Sequence, residues 1–199
     1  EKRAGGYRLN TDFKEEKFDF GRMFGFAYGE KENGAVFSHM AVMYANALYK
    51  RGFIKEGYKV LKNLLDSAMD FENSIMYPGI PEYFDNDGRG LYAYLTGAAS
   101  WYMLTMITEV FGVRGELGNL VIKPALLPEQ FDKDGKAAIK LNFSGRTLKI
   151  TIHADIDNIQ DNNGVYNKII RVECDGNELE SADLKKVVIM KKRIEEMSC

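Results

Sequence analysis

Apolar and polar positions along the chain follow two periods, one after the other. Phe37, Met40, Ala41, Tyr44 and Leu48 recur at spacings of three and four. That spacing predicts a helix from about Ala35 to the basic pair Lys50-Arg51, closed by Gly52. Val60, Leu61, Leu64, Leu65 and Ala68 predict a second helix from about Ile54 to Met69. The connection is so short that the two should lie antiparallel. A third helix is expected from Leu95 or Thr96 to Val110, ended by Gly112. It is apolar nearly all round (Trp101, Met103, Leu104, Met106, Ile107), so burial on most sides is expected.

After Gly115 the period drops to two. Segments 120–122, 138–143, 148–152, 169–172 and 187–190 read as strands. Ser144-Gly145-Arg146 and Asp175-Gly176-Asn177 read as hairpin turns. Residues 1–30, rich in Gly and aromatics, predict irregular structure with short extended pieces and no long helix. Residues 71–91 carry Pro78, Pro81, Gly79, Gly88 and Gly90 and predict a long loop, a place where function often sits. The order, helical first and antiparallel β second, implies two packed units with a boundary near Arg114–Leu120, that is 1–115 and 116–199.

Composition narrows the class. An apolar share of 45% and a charged share of 28% are those of a soluble globular protein. A net charge of -2 speaks against a nucleic-acid partner, and no apolar run is long enough to span a bilayer. With only Cys174 and Cys199, a disulfide framework is not expected, and a reducing, cytoplasmic home is. The chain opens at Glu1 rather than at a methionine, so a piece of a longer polypeptide is expected.

Two stretches stand out for chemistry. Lys31-Glu32-Asn33-Gly34 leads into the first helix, with His39 in its first turns. Helix starts present N–H groups that favour anions, and a histidine there can donate to a phosphate or a sugar hydroxyl. A structural histidine on an apolar face is the other reading. Thr96-Gly97-Ala98-Ala99-Ser100 opens the third helix. Small residues let an anion reach the backbone, and equally let helices pack closely. Lys31 and Glu32 are either a solvated charged pair or donor and acceptor for vicinal hydroxyls. Glu82, in the Pro/Gly loop, is either a sugar ligand or an ordinary loop carboxylate. His153 reads as structural within a strand. Lys185-Lys186 and Lys191-Lys192-Arg193 read as solvated charges that protect a strand edge. A Cys/His metal pattern, a phosphate-binding glycine loop and a nucleophile elbow are all missing from the sequence.

Four segments carry a resemblance: 29–40 (Gly-Glu-Lys-Glu-Asn-Gly-Ala-Val-Phe-Ser-His-Met), 77–84 (Tyr-Pro-Gly-Ile-Pro-Glu-Tyr-Phe), 94–101 (Tyr-Leu-Thr-Gly-Ala-Ala-Ser-Trp) and 111–120 (Phe-Gly-Val-Arg-Gly-Glu-Leu-Gly-Asn-Leu). They resemble the carboxy-terminal part of the cellobiose and cellodextrin phosphorylases of glycoside hydrolase family 94, over roughly residues 5–131. The wording around His39-Met40-Ala41-Val42-Met43-Tyr44 is nearest the cellodextrin type. The resemblance implies the last helices of an (α/α)6 barrel followed by a small antiparallel β-sandwich. It implies an inverting hexosyltransferase reaction, in which phosphate attacks the anomeric carbon of a β-1,4-gluco-oligosaccharide to give α-glucose 1-phosphate. No cofactor is implied, since inorganic phosphate is a co-substrate. The implied partners are the oligosaccharide and phosphate, with the parent enzyme a homodimer.

Site roles follow residue by residue. His39, Thr96 and Gly97 match the phosphate cradle, and Lys31 and Glu32 match the pair that contacts the leaving-group sugar. The family's general-acid aspartate and a phosphate-binding arginine lie upstream of residue 1, so no catalytic acid is expected in this chain and the chain alone is expected to be inactive. Members commonly carry a glutamine in the loop where this sequence reads Pro81-Glu82-Tyr83. A carboxylate repels phosphate, so Glu82 is expected on the sugar instead. A β-1,2- or β-1,3-glucan phosphorylase and a non-catalytic carbohydrate-binding module are the alternatives.

Overall fold

The computed structural model describes residues 6–77, 79–93, 97–154, 169–179 and 186–196. The chain divides into two compact units, Glu1–Thr105 and Met106–Cys199.

In the first unit the opening segment is irregular apart from a 3-10 helix, Phe18–Gly25, broken at Gly21 by a left-handed φ of 77°. Strand β1 (Val36–Phe37) precedes helix α1 (Ser38–Lys50), and helix α2 (Ile54–Met69) follows after a turn at Gly52 (φ 85°). Ala41, Val42 and Ala45 of α1 are buried, as are Val60, Leu61, Leu64 and Ala68 of α2. Gly57 lets the two helices close up: a Cβ there would fall 2.6 Å from a carbon of the Tyr49 ring. A short helix α3 (Phe71–Ser74) is capped by the Asp70 carboxylate, which accepts from Asn73 N at 3.3 Å. Strands β2 (Tyr83–Phe84) and β3 (Gly90–Leu91) then pair with β1 in the order β1-β2-β3, Val36 opposite Phe84 and Tyr83 opposite Leu91. Helix α4 (Gly97–Thr105) closes the unit. The Asn46 amide of α1 donates to the Thr105 hydroxyl of α4 at 3.1 Å, both side chains buried.

The second unit opens with a π-helical turn, Met106–Val110. Strands β4 (Val113–Glu116) and β5 (Asn119–Ile122) form a hairpin over Leu117-Gly118. Strands β6 (Lys136–Phe143), β7 (Arg146–Ala154), β8 (Ile169–Cys174) and β9 (Asn177–Glu178) make a four-stranded antiparallel sheet in sequence order. Strand β10 (Val187–Ile189) adds to β5, giving the order β10-β5-β4, and helix α5 (Lys191–Glu196) follows. Leu148, Ile150 and Ile152 on alternate positions of β7 are fully buried, the period-two signature of a one-faced sheet.

These elements correct the expected fold. The described residues form a mixed, sheet-rich fold of short helices and three antiparallel sheets, not the end of an (α/α)6 barrel with a β-sandwich appended. Of the described helices in the first unit, α1, α2 and α4 alone exceed one turn. Between α2 and α4 lie the one-turn helix α3 and the paired strands β2 and β3 instead of a further long helix. The expected loop 71–91 holds α3, β2 and β3. The first helix begins at Ser38 rather than Ala35, because Val36 and Phe37 are taken into the ladder. Helix α4 is not buried on most sides: Met103 is 60% and Leu104 45% exposed. Lys191-Lys192-Arg193 is exposed and follows the edge strand β10, as expected, and also forms the first turn of α5. Among the described residues no helix is long and apolar enough to cross a membrane.

Candidate functional site

The site grows from three segments of the first unit: the turn 30–34, the start of α1, and β2 with β3. Asn33 builds the turn. Its N–H donates to Glu30 O at 2.9 Å, and its amide donates to Phe26 O at 2.8 Å from a buried position. Gly34 follows with φ 77°, packed so closely on the Tyr28 ring that a Cβ has no room. Arg8 holds the Gly34 carbonyl at 2.6 Å. The Asn-Gly pair is therefore the hinge that aims Lys31 and Glu32, and a direct ligand role for it has no support here.

Glu82 joins the segments through its peptide groups. Its carbonyl accepts from Ser38 N at 2.9 Å, at the first residue of α1, and its N–H donates to Leu91 O at 3.1 Å. Its side chain lies near Lys31, with 3.7 Å between Nζ and Oε2 and both side chains about five-sixths buried (17% and 16% exposed). The Lys31 ammonium also sits 4.0 Å from the centre of the Tyr92 ring and 5.9 Å from that of Phe26. Next to this pair, the Tyr83 hydroxyl donates to Glu30 Oε2 at 2.6 Å. Burial, and after it that hydrogen bond and the Glu30 charge, push the Tyr83 phenol well above its ordinary value, so it remains a donor.

His39 lies in the first turn of α1 with its ring against Gly97, the first residue of α4. A Cβ at 97 would fall 2.7 Å from both ring nitrogens, so the ring lies where only glycine fits. Trp101, one turn on, flanks the imidazole at 5.9 Å between ring centres. The ring's Nε2 is buried and has no hydrogen-bond partner among the described residues. The same holds for Ser38 Oγ, Glu32 Oε2 and Glu82 Oε2. Buried polar atoms are normally paired, so these atoms on adjoining segments single the place out as the candidate site, Glu82 Oε2 having the Lys31 ammonium as its neighbour of opposite charge.

The expected site residues fall out as follows. His39 meets Gly97, and Lys31 meets Glu82. Glu32 turns the other way, with one oxygen 3.4 Å from Arg22 and the other buried. Thr96 lies outside the described residues. Glu30, Tyr83 and Tyr92 were not among the expected residues. For Tyr83 the signal was its place in a short aromatic strand segment; for Tyr92 there was none. His153, read as structural, is 8% exposed in β7, with its Nε2 3.4 Å from Glu173 and 3.5 Å from Arg171. Cys174 is buried in β8, where burial pushes its thiol up to about 11. Lys186 pairs with Glu116 at 3.4 Å, while Lys185 and Cys199 lie outside the described residues.

No family model matches the chain. It is 26% identical over 166 residues to a cellobionic acid phosphorylase from Neurospora crassa, an alignment that covers 72% of this chain and 20% of that protein. The chain thus spans about a fifth of the length of the curated relative it matches. The similarity is a distant, partial homology to a phosphorylase.

Proposed function

We propose that this chain is the substrate-binding part of an inverting glycoside phosphorylase acting on β-1,4-gluco-oligosaccharides. In this reading His39 and the backbone at Gly97, with Thr96, cradle phosphate. Lys31, Glu32 and Glu82 hold the hydroxyls of the leaving-group sugar. The observation that carries the reading is the His39 ring laid on Gly97 with a buried Nε2 that lacks a hydrogen-bond partner, on a helix start whose Ser38 N–H donates to the backbone of Glu82, itself paired with Lys31. An imidazole presenting one nitrogen at a helix start suits a phosphate oxygen, and a carboxylate with an ammonium suits vicinal hydroxyls.

Phosphate is already an anionic nucleophile, so the reaction needs a single general acid to protonate the departing oxygen and no partner base. No described residue is assigned that role; the acid is an aspartate elsewhere in the polypeptide. The name of the relative raises a variant in which the acceptor side holds an aldonic acid. The Glu82 carboxylate beside Lys31 favours a neutral sugar.

The test is phosphate release from glucose 1-phosphate by the full-length protein with cellobiose, glucose and gluconate as acceptors. Release with cellobiose supports the reading, gluconate alone supports the aldonate variant, and robust release by residues 1–199 alone removes the external acid.

A further inference from the structure

Glu30 and Lys31 are consecutive on the turn, and Glu82 and Tyr83 are consecutive at β2. They pair in order. Tyr83 donates to Glu30 at 2.6 Å, and Lys31 lies 3.7 Å from Glu82. One residue touches both pairs. The Tyr92 ring centre is 4.0 Å from Lys31 Nζ and 5.9 Å from the Tyr83 ring, at 38° between planes. Both members of this cation–π contact have left-handed backbone without being glycine, φ 41° at Lys31 and 63° at Tyr92. Such backbone persists where the surroundings hold it, and it gathers at functional sites. Lys31 opens the two-residue turn closed by the Asn33 N–H to Glu30 O hydrogen bond, whereas Tyr92 directly follows a strand. Tyr92 follows β3 directly, so the strand ladder fixes where its ring is presented.

We propose that Tyr92 is a positioning residue for saccharide recognition: its ring face, with the Glu82 carboxylate, fixes the Lys31 ammonium at the point where it donates to a sugar hydroxyl. The inference rests on reading Lys31 as a sugar ligand. At 3.7 Å the carboxylate attracts the ammonium from beyond hydrogen-bond distance, and the Tyr92 ring face at 4.0 Å adds a directional contact. A ring face lacks an acceptor lone pair, so it orients a cation without competing with hydroxyl oxygens for its protons. The subsite so described takes a neutral saccharide. The phenol hydroxyl has no part in this, and phenylalanine should serve as well.

Full-length protein as wild type, Tyr92→Phe and Tyr92→Leu tests it. In synthesis from glucose 1-phosphate and cellobiose, Tyr92→Leu should raise the KM for cellobiose about tenfold and leave the KM for glucose 1-phosphate unchanged, while Tyr92→Phe stays within about twofold of wild type. An unchanged cellobiose KM in Tyr92→Leu, an equal rise in both constants, or a Phe variant as impaired as Leu would overturn the proposal. A second readout needs no turnover. Reductive methylation with carbon-13 labels the lysines, and Lys31→Arg assigns the Lys31 signal. That signal should lie upfield in wild type and Tyr92→Phe, return to the common position in Tyr92→Leu, and move when cellobiose is added to wild type. If wild type releases no phosphate yet its Lys31 signal answers to cellobiose and the Leu variant's does not, the reaction is misread and the positioning role stands. A Lys31 signal indifferent to cellobiose in wild type overturns the role as well.

Discussion

The two units of this chain treat the same backbone conformation in opposite ways. In the sheet unit, the non-glycine residues with positive φ are Leu117, Ser144 and Asp175, each followed by a glycine that is also left-handed. All three are first residues of two-residue hairpin turns, where the twist of the strands demands that geometry. Among the described residues of the helical unit the corresponding residues are Lys14, Lys31, Ile75 and Tyr92; no glycine follows any of them, although Lys31 opens the turn between Glu30 and Asn33 and Ile75 caps α3. The contrast extends to polar atoms. Among the described residues, every buried side-chain oxygen or nitrogen without a hydrogen-bond partner lies in the helical unit, and none in the sheet unit. The sheet unit keeps to the local rules of a stable fold, and the helical unit departs from them at several places, Lys31 and His39 of the candidate site among them.

If that division is right, damage to the two units should read out differently. The largest effect is expected at the helix start. His39→Ala in the full-length protein should lower kcat/KM for phosphate by about 100-fold, with the unfolding midpoint of the protein moved little. Unchanged phosphate kinetics in that variant would break the comparison. Leu148→Ala, at a fully buried position of β7, should behave in reverse: about 2–5 kcal/mol lost in urea unfolding, with kinetic constants per folded molecule retained. Asn46→Ala strands the Thr105 hydroxyl in the helical core and should cost about 1–3 kcal/mol by the same measurement.

The smallest effect is a pH dependence. Cys174 holds its proton more tightly folded than unfolded, so its neutral form stabilises the fold fully below about pH 9, and that contribution is lost as pH rises through about 11. Urea midpoints measured between pH 8 and 11 should fall less steeply for Cys174→Ala than for wild type.

How much of this was legible in the sequence differs along the chain for physical reasons. Helix α2 was readable end to end, since Ile54 to Met69 carries a clean three-and-four spacing and breakers stand on both sides. The turns at Ser144-Gly145 and Asp175-Gly176 announced themselves, because Ser and Asp before Gly are recognised turn residues. Leu117-Gly118 did not, because a leucine is a poor candidate for φ 50° until the strands around it are known. The burial of α4 was misjudged because an apolar surface says what a helix could bury, not what lies against it. The barrel architecture failed because short paired strands such as Val36–Phe37 and Tyr83–Phe84 leave almost no periodic trace. At the site, His39 and Gly97 were found from residue type and position. The link between Lys31 and Tyr92 was not, because a cation over a ring depends on two segments sixty residues apart meeting through a strand ladder.

The unpartnered atoms have a further consequence, in the thermodynamic sense of linkage. A buried polar atom without a partner costs about 1–3 kcal/mol, so His39 Nε2, Ser38 Oγ and Glu32 Oε2 hold the helical unit below the stability its packing could give. Any molecule that satisfies them returns part of that deficit. Its concentration then sets the melting temperature, by about 2.7 kcal/mol at a hundred times its dissociation constant. The thermal stability of the helical unit thereby becomes a gauge of what the site holds.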